Sequence, residues 1–149
     1  MGRVINTNAP GKRRSQLMRT IAEILRRLSQ KQEIDVEVQD MTAMVVFCLR
    51  EIDETIIESI TAWEKRGYWK KADKFQLEWM WSGQMAKKVE KMIRDENWQD
   101  MPKMMIQLLP HFAEIKVNKM TRRKSLWEGC YDKLMEENQS KYTAPNHDD

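Results

Sequence analysis

Glycine and proline are scarce in this chain, five and four among 149 residues. So few turn-forming residues argue against a β architecture of short strands and tight turns. Cys48 and Cys130 stand far apart without a CxxC, which excludes a disulfide framework and leaves reduced, structural thiols as the reading. No apolar run approaches the roughly 20 residues that a membrane-spanning helix needs. The polar start also lacks the apolar stretch of a secretory signal. Glycine-rich phosphate loops, HExxH and GxSxG are absent too. The two histidines, His111 and His147, have no companion ligands at metal-binding spacing. No catalytic residue, metal or cofactor is therefore assigned, and a soluble, cytoplasmic, non-enzymatic protein is expected. Residues 1–31 do share the arginine-rich, acid-poor composition of a mitochondrial transit peptide, the one feature pointing to another compartment.

The abundant residues, Met, Leu, Ile, Glu, Lys and Arg, favour helices. A chain of this length forms one domain that buries roughly 70% of its unfolded surface. We therefore expect an all-α, single-domain bundle of four to five helices over residues 12–140, with a central Trp-rich helix. A flexible arm over 1–11 precedes it and a disordered, polar tail over 141–149 follows.

Helical periodicity fixes most of the elements. Leu17, Ile21, Ile24, Leu25 and Leu28 share a face from about Ser15 to Gln30, with an Arg19/Glu23 pair on the opposite, solvent side. A second stripe runs through Met41, Val45, Cys48, Leu49, Ile52, Ile56, Ile60 and Trp63, predicting a helix from Asp35 to Arg66, about 45 Å if straight. Asp40, Glu51, Glu54 and Glu58 collect on its outer face. Trp98, Met101, Met105, Leu108, Leu109 and Phe112 predict a further helix stopped near Leu109 by Pro110. Residues 116–124 read as a basic loop, and Ser125 to Glu128 has the form of a capping box opening a short last helix.

The stretch from Trp63 to Trp81 holds four of the six tryptophans. Gly67 suits the positive φ just past a helix end, and a new helix is expected from Tyr68 or Trp69 to Arg94. Tyr68, Ala72, Phe75, Trp79, Gly83, Ala86, Val89 and Ile93 form its core stripe. Leu77, Trp81, Met85 and Met92 form a second stripe displaced by roughly 130°. That stripe either packs within the bundle, which the pattern favours, or is the binding surface for a protein partner or a second copy.

Charge alternates along the chain. Residues 1–31 carry net +7, residues 32–62 net −7, residues 63–94 net +5 and the remainder −2. An acidic helix packed between two basic ones accounts for this. The basic segments also suggest an alternative partner, nucleic acid, with phosphates neutralised by Lys12, Arg13, Arg14, Lys70, Lys71 and Lys74. Interleaved Trp63, Tyr68 and Trp69 could stack on bases.

A third class, a metal-dependent nucleotide hydrolase, rests on Glu51-Ile-Asp-Glu54. This pair resembles one half of the ExxE and ExxD set of helical nucleotide pyrophosphohydrolases, which the resemblance would have hold Mg²⁺ or Mn²⁺. Its only counterpart, Glu37-Val-Gln-Asp40, lies on the same helix roughly 21 Å away, so the two cannot share a metal. A protein-interaction or assembly module leads, nucleic-acid binding is second and the hydrolase third.

Overall fold

The computed structural model describes residues 9–137. The expected tail, and residues 1–8 of the expected arm, lie outside the described residues. Among those described the chain is all-α: α1 (Pro10–Ser29), α2 (Val36–Lys65), α3 (Trp69–Trp79), α4 (Trp81–Arg94), α5 (Met101–Leu108) and α6 (Cys130–Glu136), with short 3-10 turns at Trp98–Asp100, Leu109–Phe112 and Lys124–Leu126. No described helix is long and apolar enough to cross a membrane.

Helix α2 supplies the surface on which α1, α3, α4 and α6 pack. Its stripe from Met41 through Val45, Cys48, Leu49, Ile52 and Ile56 is buried. Each such side chain contributes roughly 1.5–3 kcal/mol, far more than any single cap or surface pair. Asp35 starts the helix as its sequence position suggests, accepting from the Val38 N–H at 2.9 Å. Both thiols are buried and unpaired with each other, and burial pushes Cys48 up to about 12 and Cys130 above its ordinary value.

Four features differ from the sequence reading. Helix α1 starts at Pro10, so Lys12, Arg13 and Arg14 are helical; proline fits a first turn because its missing N–H has no partner there anyway. The long Trp-rich helix divides at Met80. Ser82 donates its hydroxyl to the Trp79 carbonyl at 2.9 Å, and the next-turn bond from Gln84 N–H to Met80 O lengthens to 3.4 Å. A Ser-Gly step such as Ser82-Gly83 is a common place for a helix to kink.

The third difference is at the last helix. Its expected opening at Ser125 forms only a 3-10 turn, and α6 begins at Cys130 after Gly129 at φ +83°. Asp40 of α2 caps it from outside, accepting from Gly129 N–H at 3.2 Å and Tyr131 N–H at 2.9 Å. Asp40 is consequently buried rather than on the outer face. Fourth, Glu23 is buried rather than solvent-facing. It accepts from Arg19 Nε at 2.8 Å and from the Thr121 N–H and hydroxyl at 2.7 Å each, with Arg122 at 3.6 Å. These bonds tie the 113–123 loop to α1. Burial opposes the charge of Glu23, but the donors outweigh it and hold the carboxyl at about 2.

Candidate interaction surfaces

The α2–α3 corner is built by backbone geometry. Gly67 N–H donates to Glu64 O at 3.0 Å and Tyr68 N–H to Trp63 O at 2.9 Å, the paired bonds of a Schellman ending. Gly67 sits at φ +81°, and a Cβ there would meet nothing within 4 Å. Conformation, not crowding, therefore asks for glycine at this position. The chain reverses and α3 returns along α2, packing Ala72 inward and leaving Phe75 and Trp79 half-buried.

An aromatic row lies along the inner side of α3. Trp63 meets Phe75 edge-on at 4.7 Å, Phe75 lies 6.3 Å from Trp79, and Trp79 stacks on Trp81 at 5.8 Å. Residues two apart point about 200° apart on an unbroken helix, so the last contact requires the break at Met80. Trp81 continues the row onto the Leu109–Phe112 turn, stacking on His111 at 3.8 Å and meeting Phe112 edge-on at 5.8 Å. Burial lowers the pKa of His111, which favours the neutral ring in this stack.

The sequence's second stripe is divided by this arrangement. Met85 and Met92 are buried in the core and Trp81 is half-buried, whereas Leu77 is 72% exposed. The four are not brought together as one outward surface. Leu77 and Met80, which precede Trp81 in the chain, are exposed, and so are Ile106 and Leu109, which precede His111, Ile106 at 69%. Ile106 stands off the apolar face of its helix in the sequence, and that isolation is what marks it as an outward-facing apolar residue. Leu109 belongs to that face and is turned out where Pro110 replaces α-helix by a 3-10 turn.

The six basic candidates also separate. Arg13 donates through both Nη atoms to Glu58 at 3.3 and 3.0 Å, with Nε 3.9 Å from Glu51. Arg14 donates to Thr55 Oγ1 at 3.1 Å and lies over Phe75 and Trp79 at 4.9 and 5.4 Å. Both side chains are thus occupied with α2 and α3. Lys12 is exposed and makes no ion pair among the described residues. On α3, Lys70, Lys71 and Lys74 are exposed, with Lys71 Nζ 4.7 Å over the Trp63 ring. Tyr68, expected on the core face, is 52% exposed and Trp69 is 60% exposed. Together with Gly67, Lys70 and Lys71 they line an open concavity of about 760 Å³. Tyr68 precedes α3 with φ −90° and ψ +63°, outside helical geometry, which takes its side chain off the stripe.

The acidic row on α2 is engaged differently from a metal site. Glu51 and Glu58 face Arg13, while partial desolvation and then the charge of Glu51 push the Glu54 carboxyl above its usual range. No group of three or more His, Cys, Asp or Glu among the described residues is placed to hold a metal ion. The chain matches no protein-family model, and no curated protein and no solved structure is significantly similar to it.

Proposed function

We propose that this protein is a helical protein-interaction module that works by binding rather than by catalysis. The observation that carries the reading is the exposure of two large apolar side chains, Leu77 at 72% and Ile106 at 69%, on the helices that lead into the two rings of the Trp81–His111 stack. Met80 and Leu109, exposed at 40% and 47%, stand nearer still in the chain to Trp81 and His111. Exposed large apolar side chains in such numbers are a usual mark of an interface, whose centres are enriched in methionine and tryptophan. The partner this suits is an apolar face of another protein or of a second copy of the chain.

The test replaces Leu77 and Ile106 together by Glu. Neither side chain is packed, so the folded monomer should unfold within about 0.5 kcal/mol of the parent. The parent should sediment as an assembly, or retain a discrete protein from host extract, and the variant should do neither. Equal sedimentation and an identical retained set for the two proteins would sink the proposal.

A further inference from the structure

The basic corner at the other end of α3 has a chemistry of its own. Within residues 65–74 there are five cations, Lys65, Arg66, Lys70, Lys71 and Lys74, against one acid, Asp73. All five are at the surface, and none makes an ion pair among the described residues. Between them in sequence stand Tyr68 and Trp69, which make no ring contact with any described residue. Five cations without a paired acid, one of them over the Trp63 ring, close in the chain to two open aromatic faces call for a ligand with both regular negative charge and planar apolar surface.

We propose that this corner binds single-stranded nucleic acid, with Tyr68 and Trp69 as stacking platforms and the five cations neutralising phosphates. Unstacked bases offer the planar faces that the two rings lack, and such stacking tolerates any base. A duplex does not fit the same surface, because its bases are already stacked. Nor does α3 suit the major groove, since Leu77 and Asp73 occupy the middle of its outer side where base-reading polar groups would have to stand. Asp73 and Glu78 repel a backbone continuing along α3, so contacts centre on the corner. The proposal does not depend on the apolar surface around Leu77, which lies toward the opposite end of α3.

The experiment titrates the full chain into a fluorescein-labelled oligothymidylate of about 20 nucleotides at low ionic strength, following anisotropy and tryptophan quenching. The expected result is saturable binding that quenches tryptophan, weakened roughly tenfold or more by Trp69→Ala and by Tyr68→Ala. Replacing Lys65, Lys70 and Lys74 by Gln should flatten the slope of log K against log salt by about 2, near 0.7 for each phosphate no longer neutralised. The Leu77→Glu, Ile106→Glu protein should bind as the parent does. Circular dichroism of each variant checks that the helices persist. Four outcomes would overturn the proposal: no binding at micromolar protein, binding indifferent to both aromatic changes, a duplex bound as tightly as the single strand, or polyglutamate bound equally well through the same residues.

Discussion

Two basic regions of this molecule, similar in composition, are used in opposite ways. At the α1–α2 seam the cations are engaged: Arg13 with Glu58 and Glu51, Arg14 with Thr55 and two rings, Arg27 with Glu37 at 3.4 Å, and Lys31 with Asp35 and Glu37 at 2.8 and 3.0 Å. At the α2–α3 corner Lys65, Arg66, Lys70 and Lys74 have no ion-pair partner among the described residues. The difference lies in what stands opposite. The seam faces the acidic side of α2, whereas the corner's cations are exposed where α2 ends and α3 begins, with no acid at ion-pair distance among the described residues. A count of basic residues thus says little about availability; the facing element decides it.

The charges of minority sign sharpen the contrast. Glu23 is the one acid among residues 1–31, and Arg50 the one cation among residues 32–62. Both are buried within networks. Arg50 donates to Glu90 and Glu137 at 2.9 Å each, and Arg94 Nε donates to the second Glu90 oxygen at 2.7 Å. Removing one member of such a network leaves buried partners uncompensated, a far larger cost than losing an exposed pair.

The largest expected effect follows from that contrast. Glu23→Ala should lower stability by about 3–5 kcal/mol, because Arg19, Arg122 and Thr121 lose their shared acceptor. Glu58→Ala, at the exposed seam, should cost no more than about 1 kcal/mol. Urea unfolding of the two side by side checks this, and equal midpoints would erase the distinction between the networks.

The apolar side offers the next test. Trp81→Ala removes a ring held between Trp79, His111 and Phe112 and should cost roughly 2–3 kcal/mol, less than a fully buried tryptophan. Leu77→Ala should stay within about 0.5 kcal/mol. Were Leu77→Ala the more damaging, its exposed position would be wrong.

Acid titration probes Glu23 without mutation. Its carboxyl is lowered from 4.5 to about 2 on folding, so its contribution is complete above pH 4.5 and is lost as pH falls through 2. Because its partners Arg19 and Arg122 are part-exposed and so screened, about 2 kcal/mol of stability should disappear over that window. Glu23→Gln should remove this part of the acid dependence, which thermal melts from pH 5 to pH 2 would reveal.

The smallest effect belongs to the corner. Lys70→Gln with Lys74→Gln should change the unfolding free energy by less than about 0.5 kcal/mol, since neither lysine pairs with a described residue. A larger loss would mean that these cations hold the fold after all.

Much of the architecture was legible in the residues alone. The stripe from Met41 to Ile56, the Asp35 cap, the turn at Gly67 and the stop at Pro110 are local: each depends on periodicity, a side-chain cap or a backbone angle that neighbouring residues dictate. The candidate surfaces were legible only in part. Leu77, Trp69 and the α3 lysines could be named, but helical spacing assigned Leu77, Trp81, Met85 and Met92 one common fate, and the break at Met80 sets Leu77 apart on α3.

By itself, then, the sequence determined the helical class, the major apolar faces and the alternation of charge, because these follow from interactions within a few residues or from composition. Tertiary structure alone decided which charges are paired and which remain open. Asp40 reaches Tyr131 across 91 positions, Glu23 reaches Thr121 across 98 and Arg13 reaches Glu58 across 45. No local pattern encodes such pairings, because a carboxylate on a helix face looks the same in sequence whether water or a distant loop lies opposite. Only the packed chain brings the donor to it.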